Sequence, residues 1–290
     1  MTELPPLDRL SGLLERFRVQ AHLHHSGPLC GLHHFDAAQG HAYLHVLRRG
    51  SLEVTHPTGD RTVPRSLQLD QPTLLLYPRP FTHRFHNPPR EGSDFTCARL
   101  DFEGGLQHPL VKALPPLVQV PLASVPGLST SLELLFAETD QVRCGQRWLA
   151  DRLFEVVLLQ LLRWLLDDPA ASGVQSGLIR GLADPRLART LVALHERPGE
   201  AWTLERMAAC AGVSRTVWAT TFRDVVGQTP ADYLADWRVA LAQARLREGQ
   251  PIKRLAHELG YANPSALSRA FAARTGQSPR DWLKQVGAAQ

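Results

Sequence analysis

The chain has 290 residues, which is more than one hydrophobic core usually organises, so two domains are expected. With 43% hydrophobic and 21% charged residues, its composition is that of an ordinary globular protein. The net charge of +4 is unevenly distributed: residues 181–290 hold 15 Lys and Arg against 10 Asp and Glu, whereas 11 of the 13 histidines precede residue 109. This distribution favours a polyanionic partner for the C-terminal part and a different role for the N-terminal part.

No stretch of the sequence resembles a signal peptide or a membrane span. Residues 1–10 have neither a basic start nor an apolar run. The most apolar stretch, Val156–Leu166, is interrupted by Gln160 and Arg163, and it is too short and too polar to cross a bilayer. We therefore expect a cytoplasmic protein.

The N-terminal part, from about residue 20 to residue 104, is predicted to be β-structure. Short apolar runs such as Tyr43–Leu47, Ser51–Val54 and Leu74–Tyr77 are separated by turn sequences such as Pro57–Asp60. Many short strands with frequent Gly and Pro turns are typical of a sandwich or a small barrel.

The middle of the chain is predicted to join this barrel to a second domain. Residues 105–127 are rich in Pro and Leu and indicate a connector, whereas Ser131–Asp167 has helical spacing. Leucines on more than one side of that helix, between residues 149 and 166, indicate that it is buried or shared with a partner. The expected parts are a barrel with its connector (1–127), a helical dimerisation segment (128–168), a linker (169–184) and an all-α domain (185–290).

The C-terminal segment contains an internal repeat. The run Gly227–Leu234 returns 49 residues later as Gly276–Leu283, and a phenylalanine, Phe222 or Phe271, stands five residues before each glycine. A fixed period of this length marks a duplicated supersecondary unit.

The first copy has the pattern of a helix-turn-helix. Thr203 is expected to cap one helix, Gly212 to permit a sharp turn, and Ser214 to cap the second helix. The side chains expected to face inward from the second helix are Val217, Trp218, Thr221, Phe222 and Val225.

The second copy repeats this pattern. Pro251 suits the first position of a helix, Gly260 is expected to end that helix, and Asn263 to cap the next one. The side chains expected to face inward from the second helix are Leu267, Ala270 and Phe271.

The outward faces of the two second helices carry small, hydroxylated or arginine side chains, which suit a helix that enters the major groove of DNA. One helix over residues 231–247 would separate the two copies by about one turn of DNA. The residues expected to contact bases are Arg215, Thr216, Asn263, Ser265, Ser268 and Arg269, with Ala219 and Thr220 on the same face. The residues expected to contact phosphates are Lys253, Arg254 and Arg274.

Helix-turn-helix geometry also occurs in proteins that do not bind DNA, so one copy would leave both interpretations open. Two copies, a stiff helix between them and a local excess of positive charge favour a DNA-binding domain.

These motifs resemble the AraC/XylS family of bacterial regulators over about residues 185–286. The resemblance is carried by Trp202–Glu205, Gly212–Arg215, Ile252–Tyr261 and Gly276–Pro279. It implies binding to double-stranded promoter DNA, usually as an activator working with RNA polymerase. Ala219 and Thr220 stand where many relatives have basic residues, so the contacts of this helix are expected to be fewer or to differ in sequence preference.

The N-terminal part is similar to the cupin-type sensor domain of one AraC subgroup, which includes regulators that respond to reactive chlorine or other electrophiles. This similarity is carried by Cys30-Gly31, Leu44–Val46, Gly50, Pro78, His83, Cys97, Phe102 and His108–Leu110. It implies a β-barrel followed by helices that form a homodimer. The expected fold class is therefore α+β with two domains: an N-terminal cupin-like β-barrel plus helices, and a C-terminal all-α domain with two helix-turn-helix motifs.

Three kinds of signal remain open for this domain. Cys30 and Cys97 match cysteine positions of the subgroup and are candidate sensor thiols, although free cysteines are often simply small buried residues. His45 and His83, with Cys30, are candidate ligands for zinc or iron, although no histidine pair has a tight motif spacing. A small organic effector is the third alternative, and its aromatic walls would be Tyr43, Tyr77, Phe81, Phe85 and Phe102.

The other two cysteines, Cys144 and Cys210, have apolar neighbours in helical patterns and are expected in the core. The rival class is a cupin-type metal-dependent enzyme with a helical appendage. The sequence has no Gly-rich phosphate loop, GxSxG or HExxH motif, and a duplicated DNA-binding module would be unusual in an enzyme, so no catalytic residue is expected.

Overall fold

In a computed structural model of the chain, residues 7–29, 31–57, 60–87, 93–170 and 173–288 are described. They fall into two compact units, which we call the sheet unit (Val19–Leu106 and Leu110–Gln175) and the helical unit (Met1–Arg18, Gln107–Pro109 and Ser176–Gln290). No helix within the described ranges is long and apolar enough to cross a membrane.

The described strands are β1 (Val19–Leu29), β2 (Gly31–Phe35), β3 (Ala42–Arg49), β4 (Leu52–Thr55), β5 (Ser66–Leu69), β6 (Thr73–Tyr77), β7 (His83–Asn87), β8 (Ser93–Phe102) and β9 (Val118–Pro121). The described helices are α1 (Ser11–Leu14), α2 (Pro109–Ala113), α3 (Leu128–Thr139), α4 (Gln146–Asp167), α5 (Leu178–Ala183), α6 (Pro185–Glu196), α7 (Leu204–Ala211), α8 (Arg215–Val226), α9 (Pro230–Arg247), α10 (Ile252–Glu258), α11 (Pro264–Thr275) and α12 (Pro279–Ala288). The fold class is therefore the predicted one, a β-rich domain followed by an all-α domain.

The sheet unit consists of two antiparallel sheets. One sheet has the strand order β1-β8-β3-β6-β9 and the other the order β2-β7-β4-β5. Side chains alternate across each strand, so Leu52 and Val54 of β4 are buried whereas Glu53 is not. The buried residues of the two sheets form one core, in which Tyr43 and Phe95 meet Phe85 of the second sheet.

The segment predicted to be a connector contains a strand. Residues Val118–Pro121 pair with β6 as the edge strand β9, with Val120 opposite Leu74. Burial of Val118 and Val120 beneath the sheet explains why this short run is extended.

The helical segment after the barrel is two helices. A break at residues 140–145 separates α3 from α4. Gly145 is the N-cap residue of α4 and has φ of 79°. Helix α4 packs against α3 and β1, and its buried face includes Phe154, Leu158, Leu161, Leu162 and Leu165. Leu149 and Val156 of α4 stay 48% and 40% exposed, so the helix keeps an apolar strip on its surface.

The helical unit begins before the barrel. We call residues 7–18 the N-terminal segment. Its apolar side chains Leu10, Leu13 and Phe17 are buried, and α1 packs against α6. Arg16 donates hydrogen bonds to the carbonyl oxygens of His195 and Glu196, at 2.9 and 2.8 Å. The sequence pattern had assigned this segment to the barrel, whereas its buried contacts are with the C-terminal helices.

Candidate nucleic-acid interface and barrel interior

The first helix-turn-helix comprises α7 and α8. Thr203 Oγ1 accepts a hydrogen bond from the backbone N–H of Arg206 at 3.2 Å, and Ser214 Oγ accepts one from Val217 at 3.3 Å. Gly212, with φ of 68°, forms the turn between them. Both predicted caps and the predicted turn residue are therefore present.

The second helix-turn-helix comprises α10 and α11. Gly260 has φ of 74° in the turn, and Asn263 Oδ1 caps α11 by accepting a hydrogen bond from the N–H of Ala266 at 2.9 Å. Pro251 precedes α10 at the N-cap position instead of the predicted first helical position. The N-cap position needs extended backbone, which proline adopts readily (its φ here is −72°).

The duplicated sequence produces duplicated geometry after each unit. Thr229 caps α9 and donates to Asp232 Oδ2 at 2.5 Å. Ser278 stands 49 residues later and donates to Asp281 Oδ2 at 2.6 Å, and its hydroxyl accepts from the Asp281 N–H at 3.2 Å. The repeat is thus a structural duplication. In each copy, the second helix of the helix-turn-helix is followed by a capped helix.

Helix α9 lies between the two copies. It contacts α8 of the first copy and α10 and α11 of the second. Arg274 of α11 is held to α9 by Asp232 at 2.7 Å and by Asp236 at 3.0 Å. These ion pairs stiffen the connection between the two copies. They explain the presence of an arginine at position 274 at least as well as the predicted phosphate contact does.

Most of the side chains predicted to contact DNA are exposed on the second helices. Those that are exposed are Arg215, Thr216, Thr220, Asn263, Ser265 and Arg269, and Ala219 and Ser268 are half-buried beside them. Lys253 and Arg254 are exposed on α10. Their large partners in the sequence pattern, Trp218, Phe222, Leu267 and Phe271, are buried beneath them. Each second helix therefore presents a polar face to solvent.

Intramolecular pairs already occupy several of these groups. Arg215 lies 2.6 Å from Glu205 of α7, and Arg254 lies 2.6 Å from Glu258 within α10. Asn263 Oδ1 is used in its cap, and Ser268 Oγ donates to the Pro264 carbonyl at 2.9 Å. Arg269 and Lys253 form no ion pair with any other described residue, so among the cations predicted to contact DNA they are the most available to a ligand.

One side chain predicted to face inward does not. Val217 lies in the first turn of α8 and is 49% exposed, whereas Trp218 and Phe222 of the same helix are buried. Its exposed neighbours are Arg215 and Thr216, so Val217 adds an apolar element to the polar face of α8.

A close backbone approach holds the second turn. A Cβ atom on Gly260 would clash with the carbonyl oxygen of Gly199, and one on Gly199 would clash with the carbonyl oxygen of Glu258. Arg238 of α9 donates to the carbonyl oxygens of Pro198 and Glu200 at 2.7 and 2.9 Å. The loop after α6 is therefore bound to the second helix-turn-helix through main-chain contacts that only glycine permits.

The barrel interior contains a buried histidine pair. His45 Nε2 and His83 Nε2 lie 2.9 Å apart, and His83 Nδ1 donates to the Phe81 carbonyl at 2.7 Å. His83 must therefore accept through Nε2 from His45 Nε2–H, which leaves His45 Nδ1 as an acceptor with no hydrogen-bond partner among the described residues. Burial lowers the pKa of His83 to about 3 and that of His45 well below its ordinary value, so both rings are neutral.

A third histidine, missed in the sequence, extends this network. The Tyr77 ring stacks on His83 with centroids 4.0 Å apart, and the Tyr77 hydroxyl lies 2.8 Å from His56 Nε2. Because His56 Nδ1 donates to the Pro64 carbonyl, Tyr77 is the donor in the second bond. His56 follows β4 directly before the Pro57 turn, and that position at a strand end was the signal available in the sequence.

The predicted aromatic walls are packed against each other. Tyr43, Tyr77 and Phe85 are fully buried in the core shared by the two sheets, and Phe81 packs against it. Phe102 lies outside that cluster, beside a separate cavity of about 170 Å³ that includes Pro78 and Leu106. Four of the five predicted wall residues thus belong to one packed core.

The cysteines differ from expectation. Cys97 is fully buried, and burial raises the pKa of its thiol far above the ordinary value, which is the opposite of the environment that a reactive thiolate needs. Cys30 lies outside the described residues. The prediction that Cys144 and Cys210 are core residues is wrong: both are exposed, Cys144 in the break before α4 and Cys210 on the outer side of α7.

The metal prediction has two of the ligands it needs. His45 and His83 converge as predicted, but the described residues contain no group of three His, Cys, Asp or Glu side chains arranged to hold a metal ion. Structural and catalytic zinc sites use at least three protein ligands. The described residues alone therefore do not fit a metal site, and we derive no step through one.

Comparisons with known protein families agree with this architecture. A family described as cupin matches residues 8–167, and a helix-turn-helix domain family matches residues 207–285. This chain belongs to the cupin family. In this cupin protein the barrel is followed by a helix-turn-helix domain.

Two relatives carry the names of transcription regulators. A protein of Streptomyces antibioticus named as an AraC-like transcription regulator is 37% identical over 181 residues, which are 61% of this chain. The chain spans 59% of the length of that relative. The RCS-specific HTH-type transcriptional activator RclR of Escherichia coli is 26% identical over 247 residues, covering 83% of this chain and 84% of RclR. These relatives are regulators by name and not enzymes.

Among solved structures, the DNA-binding domain of AdpA in complex with a target DNA is similar to the cupin protein's helical part. That structure is 29% identical, covers 37% of this chain and 96% of the AdpA chain, and has a TM-score of 0.34.

Proposed function

We propose that the chain is a sequence-specific regulator of transcription that binds double-stranded promoter DNA through α8 and α11. The observation that carries this proposal is the duplicated, separately capped helix-turn-helix in one compact unit, each copy with an exposed polar second helix. The two copies flank α9, whose 18 residues span about 27 Å at 1.5 Å per residue. This length is of the order of one DNA turn, so one chain would read two successive major grooves.

The charges support the assignment of roles. Arg269 on α11 is exposed and forms no ion pair within the described part of the chain, so it is the proposed base-reading arginine. Lys253 at the start of α10 is the proposed phosphate contact. Arg215 is held by the exposed Glu205, and the exposed Arg254 is held by the half-buried Glu258. Ion pairs exposed to solvent contribute about 0–1 kcal/mol. Exchange of Glu205 or Glu258 for a DNA phosphate is therefore energetically feasible.

Selection of bound sequences from random duplex DNA tests this function. A single recurring motif with two half-sites is expected, and affinity for it should fall steeply in a log–log plot against salt concentration. Arg269→Ala is expected to cost about 1–3 kcal/mol at one base position, whereas Lys253→Ala should weaken all sequences equally and reduce the salt slope by about one. Recovery of no motif, together with a flat salt dependence, would contradict the proposal.

We further propose that the sheet unit controls DNA binding in response to a small-molecule or oxidant signal. Cys97 is buried with a raised thiol pKa, so the oxidant alternative rests on Cys30. In a reporter assay with oxidant, Cys30→Ser should then abolish the response and Cys97→Ser should leave it intact. The same response in both variants would exclude Cys30 and Cys97 as the sensor thiols. Zinc or iron at His45 and His83 would need a third ligand, for which Cys30 is again the candidate.

The remaining partners are proposed from the family. A homodimer would form through the apolar strip of α4, where Leu149 and Val156 are exposed one helical heptad apart. RNA polymerase would be the partner of an activator. Promoter DNA and RNA polymerase together imply the cytoplasm as the compartment.

A further inference from the structure

A cavity of about 310 Å³ opens on the surface of the sheet unit, where β1 and β8 meet the first turns of α4. The residues that line it are His22, Leu23, His24, Arg99, Arg147 and Asp151. These residues belong neither to the helix-turn-helix units nor to the buried histidine pair. Apart from Leu23, every one of them has a polar or charged side chain, so the cavity suits a polar ligand.

The cations in this cavity are incompletely partnered. Arg147 is exposed in the first turn of α4 and forms no hydrogen bond or ion pair with another described residue. Arg99 Nε is buried without a hydrogen-bond partner, although its Nη2 lies 3.5 Å from Asp101. Buried guanidinium N–H groups are costly to leave unsatisfied, so a ligand that accepts from them would be favoured.

The carboxylates at the cavity are already engaged. Asp151 Oδ1 accepts from the backbone N–H of Leu23 at 2.6 Å, and its Oδ2 lies 3.6 Å from His22 Nδ1. Asp101 lies beside both His22, at 3.3 Å, and Arg99. Asp151 therefore fixes α4 against β1, and among the described residues it forms no ion pair with Arg147 or Arg99.

The surroundings of His24 in the cavity disfavour an additional positive charge on its ring. The pKa of His24 is lowered first by burial and then by the charges of His25, Arg99 and His41. An anion bound beside Arg99 and Arg147 would offset this repulsion. Arginine groups arranged in this way are typical of sites that recognise carboxylate or phosphate oxygens.

We propose that this cavity binds a small organic oxyanion, held by Arg99 and Arg147 with His24 beside them. Its volume is at the lower end of ligand sites, which begin at about 300 Å³, so a short carboxylate with few apolar atoms fits it best. Binding itself does not depend on DNA recognition, but the role of the anion as the signal of the regulator rests on the proposed function.

The cavity also contacts the core of the barrel. The His24 ring lies edge-on to Tyr43 with centroids 5.6 Å apart, and Tyr43 stacks on His45 at 5.4 Å. His45 in turn is hydrogen-bonded to His83. An anion at Arg99 and Arg147 would therefore lie two rings away from the buried histidine pair, which supplies a physical route by which binding would alter the barrel.

Calorimetric titration of the full chain with malonate, malonamide and inorganic phosphate, at constant ionic strength, tests the proposal. Malonate is expected to bind, and the neutral malonamide is not. Binding of phosphate without binding of malonate would assign the site to phosphate esters instead of carboxylates. Arg147→Gln should weaken binding about tenfold or more, because it removes a charge-assisted pair. The matched control is Arg152→Gln, one turn further along α4, where the arginine pairs with Glu155 at 3.0 Å.

Two results would overturn the inference: equal binding of malonate by wild type and the Arg147→Gln variant, or no heat with malonate and phosphate alike. Arg147 has no hydrogen-bond or ion-pair partner among the described residues, so its variant is expected to fold, and the melting temperature without anion checks this. DNA binding is measured on the same preparation. A chain that binds DNA but neither anion contradicts only the cavity proposal, and a chain that binds the anion but no DNA contradicts only the proposed function.

Discussion

At the scale of single residues, the contact between Gly199 and Gly260 is the tightest constraint on the second helix-turn-helix. Gly260→Ala would bring a Cβ against the Gly199 carbonyl and within 2.9 Å of Arg238 Nη2. Gly249 is the matched control, because its φ of 81° is similar but a Cβ there would meet nothing within 4 Å.

We expect Gly249→Ala to cost about 1 kcal/mol, which is the price of a left-handed backbone for alanine. Gly260→Ala should cost roughly 3 kcal/mol, because the backbone must also move. Urea denaturation followed by tryptophan fluorescence measures both losses. Equal losses would show that the close approach does not contribute to stability.

The buried histidine pair predicts how the sheet unit responds to acid. The folded pKa of His83 is about 3, below its ordinary value of 6.5, so the unfolded chain takes up a proton at this ring first as the pH falls. Stability is therefore complete above pH 6.5 and declines from there towards about pH 3, by about 1.4 kcal/mol per pH unit for one proton.

His83→Gln should reduce this slope by about one proton relative to the wild type. The measurement is the free energy of unfolding of the sheet unit between pH 7 and pH 4. Identical slopes in the variant and the wild type would mean that His83 is not the group that takes up the proton.

Residue identities showed which positions carry polar chemistry, but not their burial. The sequence brought His45 and His83 forward as a pair, and they are in contact. It placed Cys144 and Cys210 in the core, but both are exposed. Apolar neighbours along a helix do not show which side of the helix packs against the core. Cys97 could not be assigned an environment until its strand was placed between β1 and β3.

At the scale of elements, the N-terminal segment is the least expected feature. The Phe17 ring contacts Trp237 of α9 at 5.1 Å and His108 at 5.7 Å, and His195 of α6 stacks on Trp237 at 3.9 Å. Phe17 therefore completes an aromatic cluster inside the helical unit.

We expect Phe17→Ala to destabilise the helical unit by about 3–5 kcal/mol, the usual loss for a buried phenylalanine. Leu7→Ala serves as the control, because Leu7 is 40% exposed and its loss should be within about 0.5 kcal/mol. Hydrogen exchange of α6 and α9 amides locates the effect. Unchanged protection of these helices in the Phe17 variant would contradict the packing described.

Local signals explain which elements could be predicted. Both helix-turn-helix units were predictable because Thr203, Ser214 and Asn263 act on neighbours within three residues. Strand β9 and the N-terminal segment were not, because each is stabilised by residues distant in sequence. Val120 pairs with Leu74, and Arg16 binds residues about 180 positions away.

At the scale of the whole molecule, the apolar strip of α4 predicts association. Leu149→Glu combined with Val156→Glu should place two charges on the strip and convert a dimer of 32.2 kDa chains to monomers. Leu106→Glu is the control, since Leu106 is 58% exposed and lines the separate cavity beside Phe102. Light scattering gives the molar mass, and a wild-type chain that is already monomeric would contradict the proposed dimer.

The first and last described stretches of the chain belong to the same compact unit, so the sheet unit is, by connectivity, inserted in the helical unit, the module that carries both helix-turn-helix motifs. A chimaera that grafts a foreign sensor onto this module therefore needs two junctions, one near Arg18 and one near Gln175, with a third contact to preserve at His108. A single cut near Gln175 would discard Phe17, and Trp237 would lose its ring contact with Phe17.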